Sequence, residues 1–144
     1  MYFIIQLVGE NMKTVSSSYN GKEYVYKTEK RKLPRVPFQL DIYYPHINGN
    51  TKTENYGISG PLLTAINISE TGICFLSRIP LHKNDFISFL MKIENTPSFN
   101  CLAEVKWVAF DDEYFIAGCE FFSLNLDQIN VIRNYVQGKL QKNK

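Results

Sequence analysis

Two groups of side chains in this sequence have types and spacings suited to holding a ligand. The first is the basic run Lys30-Arg31-Lys32-Leu33-Pro34-Arg35, in which three residues separate Arg31 from Arg35. A guanidinium is a planar fork of donors that meets an anion or a flat acceptor edge through two parallel hydrogen bonds, which a lysine ammonium cannot imitate. The second is Asn67, Ser69 and Gly72, at the point where a strand enters a tight hairpin. Alternation along the strand puts Asn67 and Ser69 on one face and turns Ile66 and Ile68 inward. An amide and a hydroxyl then lie side by side on the outer surface, and Gly72 permits a positive φ or a close backbone approach. Each group also has an ordinary explanation. A charge run is commonly a solvated linker, and Ser69 and Gly72 can be the first and last residues of a four-residue turn, with Asn67 a solvated strand residue.

Other chemistries lack their parts. His46 and His82 flank turn-like segments with no Cys, His or carboxylate at metal-ligand spacing, so both read as solvated loop residues and no metal site is expected. Asp111-Asp112-Glu113 falls between two strands and reads as a polar turn. No Gly-rich loop joins a strand to a helix, and no Ser elbow has a His partner, so the sequence offers no nucleophile and no nucleotide-triphosphate cradle. The expectation is a protein that is not an enzyme and carries no cofactor.

The elements that must position these residues follow from patterning. The chain has 144 residues, 44% hydrophobic and 21% charged, which suits one domain with its own core. Sixteen Lys plus Arg against fourteen Asp plus Glu leave a net charge of +2, too small for nonspecific binding to DNA or anionic lipid. Cys74, Cys101 and Cys119 form no CxxC pair and lie in apolar runs, as free thiols of a reducing compartment do. The apolar stretch from Tyr2 to Val8 is far short of the ~20 residues needed to cross a bilayer, so no membrane insertion and a cytoplasmic location are expected.

Residues 1–28 read as an N-terminal extension and flexible segment, because the turn-rich run Ser16-Ser17-Ser18-Tyr19-Asn20-Gly21 interrupts any period. Met12 is an alternative start. From residue 29 to 144 the pattern is that of one domain. Val36, Phe38, Leu40, Ile42 and Tyr44 alternate as the first core strand, followed by a long surface connection between Pro45 and Pro61 with room for a short strand within it. Further strands are expected over Leu62 to Ser69, Ile73 to Leu76, Asp85 to Ile93, Asn100 to Ala109 and Tyr114 to Phe122. Cys101, Ala103, Val105, Trp107 and Ala109 give one of them a uniformly apolar face. Ile129, Ile132, Val136 and Leu140 recur at helical spacing, with Tyr135 widening the stripe and Asn125 and Gln128 spaced as a capping box. The sum is a mainly β fold: a six-stranded antiparallel barrel, closed or nearly so, with a C-terminal helix packed on it.

Arg31-Lys32-Leu33-Pro34-Arg35 followed by Val36-Pro37, and then Asn67-Ile68-Ser69-Glu70-Thr71-Gly72 at a hairpin, together form an RxxxR and NxSxxG order that resembles the PilZ domain family of bacterial cyclic di-GMP receptors. Glu104-Val105-Lys106-Trp107-Val108 and Ala117-Gly118-Cys119-Glu120-Phe121 resemble the family's later strands, and the likeness runs from about Glu29 to Leu140. The resemblance implies a split-barrel fold and a ligand, cyclic di-GMP, held by Arg31, Arg35, Asn67, Ser69 and Gly72. Guanine offers O6 and N7 as adjacent acceptors, and the phosphates suit the same guanidinium fork. Lys30, where many members carry a further arginine, is an accessory candidate that attracts phosphate without stacking as arginine does, which leaves one ligand or a stacked pair open. From where the arginines sit, residues ~22–35 are expected to be mobile without ligand and to fold over the barrel on binding. That folding reorients the N-terminal segment and presents a surface to a downstream effector protein, in a monomer or a ligand-dependent dimer. Two other readings stay open. One is a PilZ-like adaptor that binds no nucleotide, and the other is a single-stranded nucleic-acid-binding barrel that stacks bases on Tyr43, Tyr44 or Phe110.

Overall fold

The computed structural model describes residues 2–5, 14–19, 22–27, 33–51 and 59–142. Three strands precede the main domain: β1 (Tyr2–Ile5), β2 (Thr14–Tyr19) and β3 (Lys22–Lys27). They form a separate sheet in the order β1-β3-β2, with β1 parallel and β2 antiparallel to β3. The serine run expected to interrupt regular structure therefore lies within β2. Lys22–Lys27 of the N-terminal extension is β3. Hydroxyl side chains do not prevent a strand whose partners satisfy its backbone, and tertiary pairing overrides weak local preference.

The main sheet holds β4 (Val36–Ile42), β5 (His46–Ile47), β6 (Asn50–Thr51), β7 (Leu63–Ile68), β8 (Gly72–Ser77), β9 (Phe86–Met91), β10 (Phe99–Phe110) and β11 (Phe115–Phe122). All its pairings are antiparallel, in the order β4-β7-β8-β11-β10-β9-β5-β6. The expected six strands are all present. The sheet has eight because the long connection contains the β5-β6 hairpin, whose turn places Asn48 and Gly49 at positive φ. It is a curled half-barrel: β4 comes near β9 without a ladder between them, so closure does not remove its edges.

Helix α1 (Leu126–Lys142) begins with the expected capping box. The Gln128 amide N–H donates to Asn125 Oδ1 at 2.9 Å, and the Asn125 N–H donates to Gln128 Oε1 at 3.0 Å. Ile132 and Val136 are fully buried in the main core beside Leu63, Ile68, Phe75 and Ile87. Each such burial is worth roughly 1.5–3 kcal/mol, so the helix is held by its apolar stripe and covers the concave face of the sheet. Tyr135 widens the stripe as expected: its hydroxyl donates to the Pro37 carbonyl at 3.0 Å and its ring meets Phe38 edge-on at 5.4 Å. Tyr44 departs from the expected strand. It lies beyond the end of β4 and is 67% exposed.

Candidate ligand site

Two β-bulges build the site. In the β7–β8 ladder the register shifts between Ala65 and Asn67, so Ile66 does not join the main core as alternation had suggested. It packs on the convex face in a second apolar cluster with Cys74, Leu76 and Ile116, flanked by Trp107 and Tyr114. Asn67 pairs with Cys74 on that convex side, while Ile68 returns to the core opposite Ile73. In the β10–β11 ladder the register shifts between Val105 and Trp107. Cys101, Ala103 and Val105 stay in the core as expected, but Trp107 crosses to the convex cluster and Val108 packs against the core. The face is therefore not uniform.

Trp107 pairs with Gly118 and lies over it: a β-carbon on Gly118 would overlap the indole ring. Gly72 plays the equivalent part on the next strand, where a β-carbon would overlap the Cys119 carbonyl oxygen. Of the two uses foreseen for Gly72, close backbone approach is the one observed, since its φ is not among the positive ones.

The expected platform of solvent-facing Asn67 and Ser69 is corrected. Both are buried, at 2% and 4% exposure, because each side chain is engaged by the chain around it. Asn67 Oδ1 accepts from Arg35 Nη1 at 2.9 Å. Ser69 Oγ accepts from the N–H groups of Thr71 at 3.2 Å and Gly72 at 3.1 Å, and the Ser69 N–H donates to the Gly72 carbonyl at 2.8 Å. Asn67 thus orients a guanidinium and Ser69 shapes the turn. Arg31 and Lys30 lie outside the described residues.

Arg35, Thr71, Gly72, Lys106, Trp107, Gly118, Cys119 and Glu120 line a depression of about 100 Å³. Thr71 and Glu120 also line a separate groove of about 370 Å³, with Glu70, Phe121, Leu124 and Ile129. Lys106 pairs with Glu104 at 3.0 Å, and this hydrogen bond above all holds its ammonium pKa above the usual lysine value. The depression therefore offers a fixed guanidinium, an exposed ammonium, an aromatic wall and bare backbone at Gly72, a set suited to a flat, anionic, hydrogen-bonding ligand. Sequence reading missed Lys106, Trp107 and Glu120 as site members. The available signal was the aromatic two residues beyond Val105 together with a glycine on the paired strand.

The other candidates lie apart from this site. Asp111–Tyr114 is the expected hairpin turn, closed by Asp111 N–H to Tyr114 carbonyl at 2.9 Å. His46 is exposed in β5, and His82 is exposed 3.7 Å from Asp85. Among the described residues no group of three or more His, Cys, Asp or Glu could hold a metal ion. No helix among them is long and apolar enough to cross a membrane.

A curled antiparallel sheet with one terminal helix, and a depression lined by Arg35 just before β4 and by the β7–β8 turn, define a small mainly β domain. The PilZ domain family matches residues 29–138, and the chain belongs to that family. Its fold is similar to that of the Bacillus subtilis inhibitor of motility MotI/DgrA (12% identity, TM-score 0.61, 92% of this chain and 66% of that one). It is also similar to K. pneumonia MrkH, solved with c-di-GMP (16% identity, TM-score 0.55, 90% and 64%). A third similar structure is Escherichia coli YcgR, also a complex with c-di-GMP (10% identity, TM-score 0.51, 91% and 58%). The chain thus spans about two thirds or less of these proteins. No curated protein matches the sequence.

Proposed function

We propose that this chain is a non-catalytic cytoplasmic receptor for cyclic di-GMP that passes ligand occupancy to a downstream partner protein. The observation that carries the reading is the 2.9 Å hydrogen bond from Arg35 to Asn67, which joins the two halves of the motif and holds Arg35 where it lines the depression. Arg35 offers its fork to a guanine edge or a phosphate, and Asn67 fixes the direction of that fork. Arg31, Ser69 and Gly72 complete the set, with Lys30 and Lys106 adding positive charge beside the phosphates. The depression is well below the roughly 300–1,000 Å³ of an enclosing ligand pocket, so the dinucleotide lies across it and keeps much of its surface for a partner to read.

Titration calorimetry with cyclic di-GMP tests the reading on the wild type and on Arg35→Ala. Saturable binding by the wild type and a loss of at least about 2 kcal/mol, or roughly thirtyfold, in the variant is expected for a charge-assisted bidentate contact. No binding by the wild type refutes the receptor reading and leaves the adaptor. Salt-sensitive binding of single-stranded nucleic acid, with no preference for the cyclic dinucleotide, would favour the nucleic-acid barrel.

A further inference from the structure

Glu70 sits at the tip of the turn between β7 and β8, between the motif residues Ser69 and Gly72, and is assigned no part in the reading above. Its side chain is only 11% exposed. Its carboxylate accepts from Arg133 Nε at 2.9 Å and from Gln137 Nε2 at 2.8 Å, two side chains one turn apart on α1. These hydrogen bonds, Gln137's first, hold its carboxyl pKa below the ordinary carboxylate value. The next residue, Thr71, accepts through its carbonyl from the Phe121 N–H at 2.9 Å, which ties the turn to β11 as well.

The same stretch of α1 has a second grip. Ile132 and Val136 are buried, and Tyr135 reaches the Pro37 carbonyl and the Phe38 ring on the opposite flank from Arg133 and Gln137. Pro37 is two residues after Arg35, and Arg35 bonds Asn67, three residues before Glu70. Within residues 133–137, one helix therefore touches both segments that carry the candidate site. These contacts close a ring running from Arg35 to Asn67, to the turn, to α1, and back through β4.

We propose that Glu70 is a positioning residue: its clamp on Arg133 and Gln137 fixes the turn that presents Ser69 and Gly72, and through this clamp α1 senses whether a ligand joins Arg35 to the turn. The second half rests on the cyclic di-GMP reading, whereas the first concerns the ligand-free protein.

Residue-resolved amide exchange on the full chain tests the first half, with Glu70→Ala, Glu70→Gln and the doubly substituted Arg133→Ala/Gln137→Ala. In Glu70→Ala and in the double variant, the Thr71 and Gly72 amides should exchange about tenfold faster with the melting temperature little changed. Glu70→Gln, which still offers an acceptor to Arg133, should fall between them and the wild type. Unchanged exchange at Thr71 and Gly72 overturns the positioning role. For the second half, cyclic di-GMP should slow exchange in residues 129–142 of the wild type but not of Glu70→Ala, whose affinity should fall about fivefold. Equal slowing of α1 in both proteins overturns the sensing role. If the wild type binds no cyclic di-GMP, the receptor reading and the sensing role fall together, and the exchange of the two turn amides still decides the positioning role.

Discussion

At the scale of single residues, the site depends as much on missing β-carbons as on arginine. Gly72 faces the Cys119 carbonyl, a backbone atom in the middle of a ladder that cannot swing aside, whereas Gly118 faces the Trp107 indole, a side chain that can. Gly72→Ala must push β8 from β11, and we expect a loss of about 1–3 kcal/mol in urea unfolding, as for other overpacked positions. Gly118→Ala should cost less but displace the ring, and Trp107 is the sole tryptophan. A shift in intrinsic emission with a smaller stability loss than that of Gly72→Ala is the expected signature, and unchanged emission would mean that the indole does not rest on Gly118. The sequence marks both glycines through their motif positions, but not which atoms they must accommodate, since those belong to strands far along the chain.

At the scale of elements, periodicity and capping chemistry are local, and what they determine was legible: the six core strands, the Asp111–Tyr114 turn and the helix with its Asn125–Gln128 box. The bulges at Ile66 and Lys106 were not. A bulge arises when two separate strands settle a mismatch in register, so Ile66 and Trp107 took the convex side although alternation assigned both to the core. Those displacements put Asn67 and Trp107 beside Arg35, which is why the motif residues could be named in advance and their burial could not. The helix permits a sharper test. Gly138 lies inside α1 with nothing within 4 Å of an added β-carbon, so Gly138→Ala should stabilise the protein by about 0.5–1 kcal/mol. Asn125→Ala removes the acceptor for the Gln128 N–H and should cost about 0.5–2 kcal/mol. Thermal unfolding measures both. If the two shifts had the same sign, helix propensity and capping would not be what sets the stability of α1.

At the scale of the whole molecule, a half-barrel leaves two edges, and both are short or blocked. Among the described residues the β6 edge is two residues long, and the β4 edge carries Pro37, which has no N–H to offer and whose carbonyl is taken by Tyr135. The sheet therefore buries its core by curling under α1 rather than by closing, and all three cysteines lie inside it or in the convex cluster. Burial pushes the Cys101 thiol up to about 12 and the Cys119 thiol higher still. Since the thiolate is the reactive form, neither ionisation nor access favours attack on the folded protein. An aromatic disulfide reagent at pH 8 should find no reactive thiol in the native state and three after unfolding, with a labelling rate that follows global opening. The sign of the pH effect follows from the same shift. The unfolded chain loses thiol protons near the ordinary value of 9.0 while the folded chain keeps them to about 12, so stability is intact below pH 9 and falls between those limits. Rapid labelling of even one thiol at pH 8 without unfolding would show that the half-barrel opens locally, and the core would then have to be described as two units rather than one.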